Sequence, residues 1–355
     1  LTSIFDSVFS GSKRSSTIVQ GLSASIYNWA ELAINCLHGE SDPRCLIQLL
    51  RLLAGLQEAF VPVLQSNFPI DALFDAVSAY YPVQFTPPPN MKVPVTKEDL
   101  VQALWKILSF TKYDEACIRA GRDSMFGLTL GLILDQLLPL PEDEPATLQE
   151  QKDGLMDLKL LLNISKTGND AIVKVEAIEQ TQIDAKALAQ ISSALRSIHS
   201  QTAIQGAAGT PGSVTPQQVS LLCRDLTSYI AFACEQQTKN KMYWQTFVKD
   251  TMQEILRGKS TSAWSRPDIV FLSCLASCGG VKSLKLVLDH SLPPLLEVVA
   301  ETDLNSAEDD FTAAKRATAV STSLFGIAAL CAAVQTSANR QPAGVVLDPH
   351  PLQSD

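Results

Sequence analysis

Residues 68–104 run FPIDALFDAVSAYYPVQFTPPPNMKVPVTKEDLVQAL, and their punctuation decides the fold. Phe68, Leu73, Val77 and Tyr81 recur on one helical face. Pro82 stops that helix, because a proline disfavours the α conformation in the residue before it. Val83, Gln84, Phe85 and Thr86 then run extended into Pro87, Pro88 and Pro89, none of which suits a helix interior. A new helix opens at Thr96. Its hydroxyl is placed to accept a backbone N–H while Asp99 reaches back, a capping box ahead of Leu100, Leu104 and Leu108.

The same grammar extends in both directions. Upstream, Leu22, Ile26, Trp29, Ala33 and Leu37 predict an amphipathic helix ending near Gly39. Asp42 caps the next helix with Pro43 in its first turn, and Leu46, Leu49, Leu50, Leu53, Leu56 and Phe60 form its apolar stripe. Downstream, Met125–Leu138 is apolar almost all round, as a helix covered on several sides would be. Thr147 with Glu150 makes a second capping box before Leu155, Leu158 and Leu162. A helix is predicted over 171–199, with Leu188, Ile191, Leu195 and Ile198 on one face.

Residues 200–214 (SQTAIQGAAGTPGSV) are small, polar and glycine-rich, and read as a flexible loop. Thr215, Pro216 and Gln218 restart the chain, and helices follow at about 217–236, 241–257, 268–277, 281–300 and 308–336. Ser265 with Asp268 and Ser306 with Asp309 are further caps, and the tail 339–355 reads as disordered. Strand signals are nearly absent. Helix pairs at a period near about 40 residues are the mark of HEAT or armadillo arrays, about six to eight pairs here. The expected fold is therefore an all-α, HEAT/armadillo-type α-solenoid, a superhelix of antiparallel helix pairs. Its parts are repeats over 1–199, the loop 200–214, further repeats over 215–338 and the tail.

Composition narrows the function. The chain has 355 residues, 46% of them hydrophobic and 18% charged, enough to bury a large core. A net charge of −9 argues against direct binding of nucleic acid, which is driven largely by Lys and Arg neutralising phosphates. The longest apolar runs, Phe126–Leu134 and Leu324–Val334, fall short of the roughly 20 residues that cross a bilayer, and no membrane is expected. The N-terminal stretch lacks the basic and apolar regions of a signal peptide, and Leu1 in first position suggests a piece of a longer protein.

Catalytic and metal chemistry leave no clear trace. No phosphate-binding glycine loop occurs, and Gly127 and Gly131, inside an apolar helix, read as close-packing positions. The cysteines (36, 45, 117, 223, 234, 274, 278 and 331) are scattered and read as free thiols. Cys274 and Cys278 lie one turn apart, half a metal site at most. His38, His199, His290 and His350 read as residues near helix ends or in the tail, with His290 beside a helix C-terminus. Lys239, Lys241, Tyr243, Trp244 and Lys249 interleave basic and aromatic residues, which could touch nucleic acid or an acidic partner but read better as a solvated helix start. Asn163 with Ser165 matches a glycosylation sequon with no sign of secretion beside it. No catalytic residue, metal ligand or cofactor is predicted.

Part of the chain also resembles a known family. Leu73, Phe74, Asp75, Ser78, Tyr81, Pro82, Phe85, Pro87, Pro88, Asn90, Thr96, Glu98, Asp99 and Leu100, with Asp42-Pro43-Arg44 upstream, are similar to the methyl-methanesulfonate-sensitivity protein nineteen family. These are HEAT-repeat targeting subunits of the cytosolic iron–sulfur assembly machinery, also described as nucleotide excision repair and transcription proteins. The resemblance covers about residues 40–165, with Lys152, Asp153, Leu155 and Leu158 fitting loosely. Met91–Pro94 and the acidic, proline-rich segment 139–150 depart from the family pattern.

The resemblance implies a non-catalytic adaptor in cytoplasm and nucleus that binds late assembly subunits and apo-iron–sulfur enzymes of repair, replication and transcription. It implies structural roles for Phe74, Asp75, Tyr81, Pro82, Phe85, Pro87, Pro88, Asn90, Glu98 and Asp99. An unrelated HEAT or armadillo scaffold, or a helical enzyme with a dispersed site, is the alternative reading.

Overall fold

The computed structural model describes residues 31–67, 70–85, 95–119, 123–139, 144–167, 172–180, 182–204, 213–237, 240–257, 264–278, 280–302 and 310–340. The fold is all-α, with one two-stranded hairpin among the described residues. Two compact units divide between Ile133 and Leu134. Thus 200–214 is no boundary between units. The helices on either side of it pack against each other, and its residues 205–212 lie outside the described residues.

The first unit begins with helical residues 31–37, ended by Gly39 at φ +80°, a conformation open to glycine and strained for other residues. Helices α1 (Pro43–Asn67), α2 (Ile70–Ser78), α3 (Lys97–Leu108) and α4 (Thr111–Arg119) follow. Both α1 and α2 pack on α3. The predicted stripe of α1 is buried at Leu46, Leu50, Leu53 and Leu56, and Leu100, Val101, Leu104 and Ile107 are buried on α3, against which α1 packs. Each such side chain contributes about 1.5–3 kcal/mol by leaving water. Leu49 stays half-exposed, and the side chains of Phe60 and Phe68 lie outside the described residues. Buried Gln57 donates from Nε2 to the Lys106 carbonyl at 2.9 Å, tying α1 to α3.

Helix α5 (Met125–Leu137) straddles the division, with Met125, Phe126, Leu130, Ile133 and Leu137 buried. The close-packing reading of its glycines does not hold. A Cβ on Gly131 would meet nothing within 4 Å, and one on Gly127 would meet only the Ser124 Oγ, at 3.0 Å. The tight glycine is Gly154, whose added Cβ would lie 2.8 Å from a Leu137 methyl.

The second unit opens with α6 (Leu148–Leu161), capped by the Thr147–Glu150 box. The predicted helix over 171–199 is then corrected. Residues 172–175 are a strand, and strands β1 (Ile164–Thr167) and β2 (Ile172–Val175) pair antiparallel, Ile164 opposite Val175. The signal was there, in two short β-branched runs separated by Gly168, Asn169 and Asp170. Asn163 enters the hairpin at φ +48°, a conformation asparagine tolerates better than most residues. A short turn, α7 (Glu176–Glu179), leads to α8 (Ala185–Ile204), which runs into the stretch read as loop. Leu188, Ile191, Leu195 and Ile198 are fully buried on α8, as their spacing predicts.

Helix α9 (Pro216–Gln236) packs on α6, β2, α8 and, further on, α12 and α13. The Thr215–Gln218 box and Pro216 begin it. Then α10 (Lys241–Trp244) passes into a π-helical turn, Gln245–Asp250, before α11 (Thr251–Arg257). Helix α12 (Arg266–Ala276) is capped by Ser265, whose Oγ accepts from the Asp268 N–H at 3.2 Å. Helix α13 (Val281–Glu301) contains Pro293 and Pro294, and α14 (Asp310–Arg340) packs on α12 and α13. The Ser306–Asp309 cap and residues 341–355 of the tail lie outside the described residues.

Helix α14 corrects the membrane arithmetic. Phe311–Ser337, 27 residues at mean hydropathy 1.8, is long and apolar enough to cross a bilayer by length and composition. Counting apolar runs missed it, because serines and threonines break the runs without adding charge. Its inner face packs on its neighbours: Leu330 and Ala333 are buried, and Gly326 faces Leu295 and Ile269.

Candidate functional site

In the first unit three segments of the family-like sequence converge on one cleft of about 240 Å³. Glu40, Ser41 and Pro43 form one lip, Tyr80, Val83, Gln84 and Phe85 the other, and Leu46, Leu50, Leu100 and Leu104 the apolar floor. Local chemistry explains each part. Asp42 accepts the Arg44 N–H at 2.9 Å and its guanidinium at 2.7 Å, turning the chain into α1. The Arg44 side chain and main chain hold the Asp42 carboxyl down at about 2. The Glu40 Oε1 accepts the Asp42 N–H at 2.8 Å, fixing the acid at the mouth.

The two tyrosines diverge. Tyr81 stacks on Trp105 of α3, ring centroids 5.0 Å apart, while the Tyr80 hydroxyl donates to the Leu37 carbonyl. The Tyr81–Pro82 peptide is cis, and Val83–Phe85 then continue without helix. Thr96 and Asp99 form the expected box: Thr96 Oγ1 accepts the Asp99 N–H at 3.1 Å and Asp99 Oδ2 accepts the Thr96 N–H at 3.0 Å. The Thr96 main chain and hydroxyl lower the Asp99 pKa.

The predicted motif residues therefore divide. Phe85 lines the cleft, Tyr81 props the segment from behind, and Asp99 caps α3. Phe74 is half-buried on α2; Asp75, Pro82 and Glu98 are exposed. Pro87, Pro88 and Asn90 lie outside the described residues. Sequence reasoning missed Glu40 and Tyr80. The adjacent tyrosines were the available signal for Tyr80: both follow the end of α2 at Ser78, where the turning chain sends their rings to different neighbours.

The other candidates fall into structural places. His199 is buried within α8; Nδ1 lies 3.2 Å from Ser220 Oγ, and the ring lies 6.4 Å from that of Phe271. Desolvation, aided by the Arg224 charge, pushes its pKa down to about 4. His290 is mid-helix in α13 and exposed, so it is no C-terminal cap. Tyr243 and Trp244 are buried, with the Trp244 Nε1 donating to Ser283 Oγ at 2.9 Å and Lys282 Nζ 3.3 Å from the indole centroid. They present no stacking platform to solvent. Lys239 lies outside the described residues. Cys274 and Cys278 are buried and form no disulfide, Cys278 lying beyond the end of α12. Among the described residues no three of His, Cys, Asp or Glu are grouped to hold a metal ion.

The fold defines an all-α protein whose first unit carries this cleft. Residues 3–125, roughly a third of the chain, match the family described as Dos2-interacting transcription regulator of RNA-Pol-II and are similar to its N-terminal region. The match takes in every motif residue from Asp42 to Leu104 and stops short of Lys152–Leu158. The MMS19 nucleotide excision repair protein homologs of Mus musculus and Homo sapiens are each 35% identical over 78 residues, 22% of this chain. The Xenopus tropicalis homolog is 30% identical over 82 residues. Each aligned stretch spans 7% of the relative's length. No solved structure matches.

Proposed function

We propose that this chain is part of a non-catalytic adaptor related to nucleotide excision repair and transcription proteins. Its helices form a HEAT-type array. It acts in the cytosolic iron–sulfur assembly machinery, in cytoplasm and nucleus, recruiting apo-iron–sulfur enzymes to late assembly subunits. It works by shape and charge, with no bond making, no direct contact with nucleic acid and no membrane. The observation that carries the reading is the convergence of the family-like segments around 42–44, 81–85 and 96–104 in one unit, within the span that matches the family. The buried thiols and aromatics, used up in packing, support binding by surface over chemistry.

The test is a tagged pull-down from cell extract, on this chain and on its full-length parent in parallel, read by mass spectrometry. The parent should recover the cytosolic iron–sulfur assembly subunits. Recovery of none of them at low salt would refute the reading.

A further inference from the structure

We propose that the cleft between α1 and the 80–85 segment is a docking site for an extended peptide bearing one large apolar anchor side chain beside a lysine or arginine. The inference deepens the adaptor reading and relies on it only for the identity of the partner protein.

Three observations converge. The first is size. A cavity of about 150 Å³ holds a benzene ring, so the cleft at about 240 Å³ takes one leucine, phenylalanine or tryptophan side chain and lies below the roughly 300–1,000 Å³ of small-ligand pockets. Its floor (Leu46, Leu50, Leu100 and Leu104) offers an anchor nothing but aliphatic surface.

The second is main chain. Val83, Gln84 and Phe85 form one wall outside any helix, and among the described residues their backbone groups make no backbone hydrogen bond. An extended segment laid alongside could pair with them, the strand-addition mode in which main-chain bonds give affinity and a pocket gives specificity.

The third is charge. Asp42 and Arg44 at the same lip neutralise each other in an ion pair of 2.7 Å. Among the described residues that leaves Glu40 as the charge lining the cleft, held there through Oε1, with Oε2 making no hydrogen bond. A cation next to the anchor side chain complements it, and an acidic flank is repelled.

The experiment uses fluorescein-labelled heptapeptides with a central Leu, Phe or Trp flanked by Lys, Ser or Glu, titrated by anisotropy against the full chain. Lys-flanked peptides should bind saturably, about five- to tenfold tighter than Glu-flanked ones at low salt, as for an exposed ion pair gained in one case and a repulsion in the other. The preference should shrink at 0.5 M salt.

Glu40→Lys should reverse the preference. Ser41→Trp, on the exposed lip, should block every peptide without changing the melting temperature. Saturable binding with these responses supports the cleft even if the pull-down recovers no assembly subunit. No saturation with any peptide up to millimolar concentration, or a flank preference that ignores Glu40→Lys, overturns it even if the pull-down succeeds.

Discussion

Glu235 and Gly280 make one device out of two helices. The Glu235 carboxylate on α9 accepts the N–H groups of Lys282 and Ser283, each at 2.8 Å, capping α13 where Gly280 has no side chain to do so. A Cβ on Gly280 would lie 2.2 Å from that carboxylate. Gly280 sits at φ −88°, comfortable for alanine, so Gly280→Ala acts through the carboxylate alone. Losing these two bonds and a third, from the Ser283 hydroxyl at 2.5 Å, should cost about 1–3 kcal/mol in urea unfolding. In a Glu235→Ala background the same substitution should turn neutral or stabilising by about 0.4–1 kcal/mol, because it restricts the unfolded chain. Two buried titratable groups respond oppositely to acid. Burial raises the Asp114 pKa to about 6, against the lowering effect of the Phe126 and Met125 N–H groups. Its stabilising contribution is therefore complete below about pH 4 and lost as pH rises through 6. His199, lowered to about 4, contributes fully above about pH 6.5 and loses that contribution as pH falls toward 4. Unfolding between pH 4.5 and 7 should show Asp114→Asn abolishing a gain on acidification and His199→Gln abolishing a loss, each on the order of 1–3 kcal/mol.

Helix starts were the most legible elements, because a cap is written within four residues. The boxes at Thr96, Thr147 and Thr215 and the cap at Ser265 all stand where their spacing placed them. Thr96→Ala and Thr215→Ala should each cost about 1 kcal/mol in denaturant unfolding, and Thr→Ser at either site should recover most of it. The hairpin was hidden because Ile172–Val175 leads straight into α7 without a break, and alanine and isoleucine on either side continue a helical pattern. The π turn at 245–250 left no trace, since nothing in QTFVKD separates five-residue from four-residue hydrogen bonding. In the site, the floor leucines were legible from periodicity. The lip at Glu40 was not, because its position depends on how the chain turns after Gly39. Asn163→Val should cost about 1–2 kcal/mol, the penalty of left-handed backbone for a branched side chain.

Helix α14 poses a question that the whole chain answers. A bilayer would make every outward side chain of Phe311–Ser337 matter, whereas a helix docked on α12 and α13 has one indispensable face. Leu324 is 51% exposed and Leu330 is 1% exposed. Leu324→Gln should therefore shift stability by under about 0.5 kcal/mol, and Leu330→Ala should cost about 2–5 kcal/mol by thermal unfolding in plain buffer. Equal penalties would favour the lipid environment. The π turn between α10 and α11 bears, finally, on how the length of this chain can drift. Removing one residue from an ordinary helix turns everything after it by about 100° and would swing Met252 and Ile255 out of the core. Within Gln245–Asp250 the extra residue is already looped into the wider turn, so a one-residue deletion there relaxes the segment to α and leaves both flanks in register. This is where the helix from Lys241 to Arg257 can lose a residue without losing its core, and it has the form of an insertion that was kept.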